Sequence, residues 1–258
     1  MKQIKNSKLS VIVITKNEEK MIKDCLASVQ QLADEIIIVD TGSQDRTLKI
    51  AKKYTNKIFV CEKGSFSDWR NFGLKKSKKE WILYIDADER TTTSLCDEIK
   101  HKILNIKNIK AYAIPRRNFL LGKEMRYGGW FPDYAKRLFK RNKLLRWEGR
   151  LHEEPIFTGE LGHLKEPMIH FTHRDLSSMI EKTSQWSKIE ADLLYQANHP
   201  PVTWWRILRV MLTEFWLRGV KKQGWRDGTV GWIEIIFQMF SRFITYARLW
   251  ELQDKDKV

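Results

Sequence analysis

Trp81-Ile82-Leu83-Tyr84-Ile85-Asp86-Ala87-Asp88 is an apolar run that stops abruptly at two carboxylates one residue apart. A short, unbroken run of large apolar residues is what a strand buried on both faces requires. The same pattern recurs upstream. Leu9–Ile14 and Glu35–Val39 are β-branched runs, and Lys57–Val60 is a shorter one. Segments with helical spacing stand between them. Met21, Ile22, Cys25, Leu26 and Val29 mark Glu18–Gln31, and Leu48 and Ala51 lead toward Tyr54 behind Asp45 as N-cap. Trp69, Phe72 and Leu74 mark a third helix. This alternation over residues 1–116 predicts right-handed βαβ crossovers and an α/β fold whose mostly parallel sheet is covered on both faces.

After Pro115 the alternation ends. Residues 117–175, rich in Gly, Arg, His and aromatics, read as irregular loops and short strands around a site. Residues 176–258 read as helical, with breaks at Pro200-Pro201 and around Gly224–Gly228. No internal repeat or low-complexity segment is present.

The chain has 258 residues, enough to bury a full core, and its 42% hydrophobic content excludes a disordered or fibrous protein. A formal net charge of +15 calls for an acidic partner: nucleic acid, an anionic membrane or a phosphate-bearing substrate. The three cysteines, Cys25, Cys61 and Cys96, are scattered without metal spacing, which suits a reducing compartment and neither a disulfide scaffold nor a zinc site. The apolar stretch after the polar start is too short for a signal peptide, and none reaches the roughly 18 residues of a membrane span. The expected location is cytoplasmic, peripheral to the inner face of the cytoplasmic membrane.

In parallel α/β sheets ligands bind at the carboxyl ends of strands. Three polar clusters fall there: Thr15-Lys16-Asn17-Glu18, Asp40-Thr41-Gly42-Ser43 and Asp86-Ala87-Asp88. The Asp86–Asp88 pair suits a hard divalent cation, Mg²⁺ or Mn²⁺, bridging a diphosphate. As a bare pattern it also serves as an ordinary turn. Asp40 either caps the turn before Gly42 or hydrogen-bonds a base or ribose. Arg70, within the third helix, lies on a solvated face or reaches back to the diphosphate.

Taken together, Leu9–Glu19, Ile38–Asp45, Arg70-Asn71 and Tyr84–Glu89 resemble glycosyltransferase family 2, with its GT-A fold. Gly128–Tyr134, Arg137–Phe139, Trp147, Leu151–Glu153, Arg226–Gly228 and Tyr246–Leu252 are similar to a bacterial branch that adds β-1,4-linked glucose to the inner-core heptose of lipopolysaccharide. The resemblance implies inverting transfer from a UDP-sugar to a lipid-linked saccharide. It implies that Thr15, Asn17, Glu18, Asp40 and Ser43 line the nucleotide pocket, and that Asp86 and Asp88 approach ribose, diphosphate and metal. Inversion needs one general base on the acceptor hydroxyl. The family often supplies it as Glu-Asp; here the segment reads His152-Glu153-Glu154, with Glu153 the first candidate, Asp133 the second, and a plain loop carboxylate the alternative. A histidine beyond the base completes the metal site in some GT-A enzymes. His170 fills that place, with His173 the other candidate, and either can equally be a structural hydrogen-bonder.

Between Pro201 and Arg226 the chain carries a net +5 from Arg206, Arg209, Arg218, Lys221, Lys222 and Arg226 against Glu214. Trp204/Trp205, Leu208, Met211/Leu212 and Phe215/Trp216 recur at helical spacing, a pattern suited to an anionic membrane surface. A second stripe, Val230, Ile233, Phe237, Phe240, Ile244 and Ala247, suits ordinary packing equally well. Nucleic acid is not an expected partner, because the charge clusters late and no RNA-recognition or helix-turn-helix signature is present. A nucleotidyltransferase would need a Gly-rich loop after the first strand, and Thr15–Glu19 has no glycine. A membrane adaptor would leave Asp86 and Asp88 unexplained.

Overall fold

A computed structural model describes residues 9–104, 108–151 and 153–255. The chain forms two compact units, one built from residues up to 116 together with 134–170, the other from 117–133 together with 171 onward.

In the first unit β1 (Leu9–Thr15), β2 (Glu35–Asp40), β3 (Ile58–Val60) and β4 (Trp81–Asp86) match the four expected strands to within a residue at each end. They are parallel, in the order β3-β2-β1-β4. Alternate side chains serve opposite faces. Leu9, Val11 and Val13 of β1 join Leu83 and Ile85 of β4 in one core layer, while Ile12 and Ile14 join Ile82 and Tyr84 in the other. The first layer is closed by α1 (Ile22–Val29), which buries Ile22, Cys25, Leu26 and Val29. This helix starts later than the expected Glu18. The N–H groups of Glu18 and Glu19 are instead donated to Thr47 Oγ1 (2.8 Å) and Asp45 Oδ2 (3.0 Å), so they belong to a loop. The short α2 (Thr47–Ala51) has Arg46 at its cap position, although Asp45 still accepts the Thr47 N–H at 2.9 Å.

The second layer is covered by α3 (Phe66–Lys76), opened by a reciprocal capping box between Ser65 and Asp68. Gly73 lets this helix lie close to the sheet: a Cβ there would stand 2.6 Å from Ile12 Cγ2. That approach decides where Arg70, one turn earlier, projects.

Beyond β4 the sheet turns antiparallel. β5 (Glu89–Arg90), β6 (Ile109–Leu120), β8 (Asp133–Lys140) and β12 (Met168–His173) extend it in the order β4-β8-β6-β12-β5, with β11 (Glu160–His163) parallel along β6 and α4 (Thr93–Leu104) following β5 in the chain. β9 (Leu144–Glu148) and β10 (Glu154–Phe157) form a separate antiparallel pair. The region expected to hold irregular loops and short strands contains longer strands than that, and β6 runs straight through Pro115.

In the second unit β7 (Lys123–Met125) pairs with the end of β6. Three helices follow: α5 (Leu176–Gln196), α6 (Trp204–Phe215) and α7 (Gly228–Lys255). They break at the expected places, with Thr203 capping α6 after the two prolines. A π-helical segment, Trp216–Lys221, and a 3₁₀ turn, Gly224–Asp227, join α6 to α7. Packing of α7 on α5 and α6 buries Glu234, Ile235, Thr245 and Leu249. Of the stripe considered for packing, only Phe237 is buried; the packed line runs beside it, and Ile233 and Phe240 face outward. Among the described residues no helix is long and apolar enough to cross a membrane.

Candidate active site

The carboxyl ends of β1, β2 and β4 lie side by side, with Thr15 opposite Asp40 and Ile14 opposite Asp86. The chain winds outward from β1 through β2 and β3, then returns to place β4 on the other side of β1. Such a reversal opens a crevice at the strand ends.

On one side of it, Asp40 is fully buried, and its Oδ1 accepts the N–H groups of Gly42 (3.0 Å) and Ser43 (2.9 Å). Its Oδ2 takes the Ser43 hydroxyl. Asp40 therefore closes the turn through Gly42, whose φ of +100° favours glycine. Asn17 adopts the left-handed region at φ 52°, donates its N–H to Ser43 Oγ (2.9 Å) and accepts the Gln44 N–H (2.8 Å) on its side-chain oxygen. Asn17, Asp40 and Ser43 thus share one hydrogen-bond network, with Thr15 opposite Asp40 across the two strands and Glu18 held through its N–H by Thr47. The Thr15 hydroxyl is buried there without a hydrogen-bond partner among the described residues.

On the other side is the Asp86-Ala87-Asp88 turn. Glu89, fully buried, accepts the Asp86 N–H at 2.9 Å, and Arg90 donates to the carbonyls of Ala87, Glu89 and Met21. Arg70 is only 3% exposed, so the solvated-face reading fails for it. Its Nε donates to Glu153 at 2.8 Å, its Nη2 to Asp86 at 3.2 Å, and its guanidinium lies 4.9 Å from the Trp147 ring centroid. Asn71 holds that tryptophan from both sides, donating to its carbonyl and accepting its N–H. Arg137, also buried, donates to Asp86 (2.5 Å) and Glu89 (2.7 Å). Burial opposes ionisation of Asp86. The charges of Arg137 and Arg70 outweigh that and hold its carboxyl well below the usual carboxylate range. Asp86 and Glu89 in turn raise the Arg137 guanidinium against the effect of its burial.

Asp88 meets His170 Nε2 at 3.8 Å. One carboxylate oxygen and one imidazole nitrogen fit a Mg²⁺ or Mn²⁺ ion that takes its remaining ligands from phosphate and water. Among the described residues no three His, Cys, Asp or Glu side chains gather for a closed metal cage. Asp86, expected beside Asp88 as a ligand, directs its carboxylate to the two arginines. His173 and Asp133 belong to the second unit, where His173 packs edge-on against Trp130 and Asp133 accepts the Asn118 amide at 2.9 Å. His152 lies outside the described residues.

The family model described as glycosyl transferase family 2 matches residues 10–158, more than half of the chain. The chain belongs to glycosyl transferase family 2. This glycosyltransferase is accordingly of the GT-A fold. It is 26% identical to the lipopolysaccharide core biosynthesis glycosyltransferase LpsC of Rhizobium meliloti, over 94% of this chain and 92% of that protein. It is likewise 26% identical to an uncharacterized glycosyltransferase of Rickettsia bellii, over 98% and 89%. Among solved structures, glucosyl-3-phosphoglycerate synthase from Mycobacterium tuberculosis in complex with Mn²⁺ and uridine-diphosphate-glucose is 16% identical, with a TM-score of 0.49 over 75% of this chain and 80% of that one. Residues 1–349 of TarS from S. aureus are also 16% identical, with a TM-score of 0.46 over 96% and 92%.

Arg137 and Glu89 of the transferase received no role from sequence, although both sit in quoted motifs. The available signal was an arginine leading directly into the apolar pair Leu138-Phe139, where a buried charge needs a partner.

Proposed function

We propose that this glycosyltransferase moves a hexose, glucose by our reading, from a UDP-sugar to a saccharide acceptor with inversion at the anomeric carbon. The acceptor we favour is the inner-core heptose of lipopolysaccharide, met at an anionic membrane surface. One observation carries the catalytic reading: Arg70 joins Glu153 to Asp86, so the candidate base and the metal turn are held by one buried side chain. The resemblance to a lipopolysaccharide core transferase supports the acceptor class.

In this reading the rim of Thr15, Asn17, Glu18, Asp40 and Ser43 receives the nucleotide. Asp88 and His170 hold the divalent cation, which when bound neutralises the diphosphate charge. Asp86, fixed by Arg70 and Arg137, sets the turn that carries Asp88 and faces the ribose. Glu153 accepts the proton of the acceptor hydroxyl as its oxygen attacks the anomeric carbon. The carbon–oxygen bond to the diphosphate breaks, and UDP leaves with the electron pair.

The test is hydrolysis and transfer from UDP-glucose with Mg²⁺ or Mn²⁺, in the parent enzyme and in Asp88→Ala. The substitution should lower turnover by at least about 10²-fold, the loss of several kcal/mol at the transition state, and weaken Mn²⁺ binding measured directly. Undiminished turnover in the presence of a chelator would overturn the metal assignment.

A further inference from the structure

A second cavity lies wholly within the second unit. It measures about 430 Å³ and is lined by Arg126, Tyr127, Gly129, Phe131, Pro132 and Lys222. Its floor is fastened to the 3₁₀ turn before α7. The buried Asp227 carboxylate accepts the N–H groups of Arg126 (3.1 Å) and Tyr127 (2.9 Å), and the Asp227 carbonyl accepts the Lys123 ammonium. The Gly128 N–H donates to the Lys222 carbonyl at 2.9 Å, and Arg218 donates to the Gly128 carbonyl at 3.3 Å. Gly129 has φ +94°, and a Cβ there would stand 2.6 Å from Lys222 Nζ. The positive φ favours glycine at this place in the cavity wall, and the Lys222 side chain lies directly against it.

Charge and ring faces meet at this cavity, with Arg226 beside its lining. The Arg226 guanidinium lies 4.5 Å from the Tyr127 ring centroid, and Phe131 is 53% exposed. Asp227 spends its carboxylate on backbone N–H groups. Glu124 lies 3.7 Å from Arg126, yet it is bound more closely by both Nε (2.9 Å) and Nη2 (2.8 Å) of Arg117. Lys222 and Arg226 make no ion pair among the described residues. Arg126, Lys222 and Arg226 therefore present a surplus of positive charge beside flat apolar faces. Guanidinium and ammonium groups take phosphate or carboxylate oxygens, and the rings of Tyr127, Phe131 and Pro132 suit the C–H face of a pyranose.

We propose that this cavity binds a phosphate- or carboxylate-bearing sugar unit of the acceptor, so that the transferase selects an anionic saccharide. The inference rests on the saccharide-acceptor reading above. It is tested by binding of mannose 6-phosphate, mannose, inorganic phosphate and glycerol 3-phosphate to the full chain, followed by calorimetry, with UDP-glucose titrated separately. Mannose 6-phosphate should bind at least tenfold more tightly than mannose, and several-fold more tightly than either phosphate without a sugar ring. Lys222→Gln and Arg226→Gln should each weaken it three- to tenfold, and Tyr127→Ala should remove the preference over glycerol 3-phosphate. UDP-glucose binding should be unchanged in all three variants, and Arg209→Gln, outside the cavity, should leave sugar-phosphate binding intact. Equal binding of mannose and mannose 6-phosphate overturns the proposal, as does a preference that survives both charge substitutions. Equal binding of glycerol 3-phosphate assigns the cavity to lipid headgroups and overturns it too. A parent protein that binds mannose 6-phosphate as expected but not UDP-glucose would overturn the UDP-glucose donor, while this proposal, which needs only a saccharide acceptor, would stand.

Discussion

Arg70 touches two carboxylates through different nitrogens, Glu153 through Nε and Asp86 through Nη2, while two aromatic rings flank its plane. Lysine has no such fork. Removing the proton acceptor while keeping its shape tests the assignment beside it. Glu153→Gln should lower the transfer rate by roughly 10²–10⁴, with the affinity for UDP little changed in a binding titration. If Asp133→Asn gives that result and Glu153→Gln does not, the base is Asp133. Asp40 and Asp86 were legible in sequence because each ends a buried apolar run, where a strand end can be read residue by residue. Their partners were not. Arg137 reaches Asp86 from 51 residues away, through the antiparallel docking of β8 on β4, and no local pattern encodes that.

At the scale of elements, α6 shows its aromatic side to solvent. Trp204 is 76% and Trp216 is 62% exposed, with Trp205, Leu208 and Leu212 between them. Arg209 and Lys221 are exposed in the same stretch. A basic residue at an anionic surface contributes about 1 kcal/mol, screened by salt, and buried tryptophan adds a term that salt leaves alone. Arg209→Gln with Lys221→Gln should therefore weaken binding to anionic vesicles by about 30-fold at low salt, and less as salt rises. Transfer to a delipidated acceptor should stay near the parent rate. Equal losses with both acceptors would move these residues from the surface to the fold. The periodicity of α6 was readable because one face is apolar. For α7 it misled, since apolar side chains occur around most of the helix and the packed face includes Glu234 and Thr245. β6 escaped notice for a different reason: Pro115 looked like an end, and only the neighbouring strands keep the chain extended through it.

For the molecule as a whole, Glu234 couples stability to pH. Burial raises its carboxyl to about 7, against the hydrogen bond from Gln238 and the charge of Arg218, from an ordinary value of 4.5. Between those values the native chain holds a proton that the unfolded chain has released. The contribution to stability is full below 4.5 and is lost as pH rises through 7, a change of roughly 3 kcal/mol. Glu234→Gln should remove this slope and raise the melting temperature at pH 8 more than at pH 5. An identical shift at both values would assign the effect to packing. The two units also have a consequence for synthesis, because the chain leaves the first at residue 116, re-enters at 134 and leaves again at 170. When the first 116 residues have emerged from a ribosome, β4 still lacks the partner that Leu138, Phe139 and Lys140 supply on its outer side. The nascent sheet then carries an open edge, the kind that recruits strands from other chains. Until β8 appears, Asp86 and Glu89 also lack the Arg137 guanidinium that joins them, so one strand both covers the edge and completes the ion pairs of the turn.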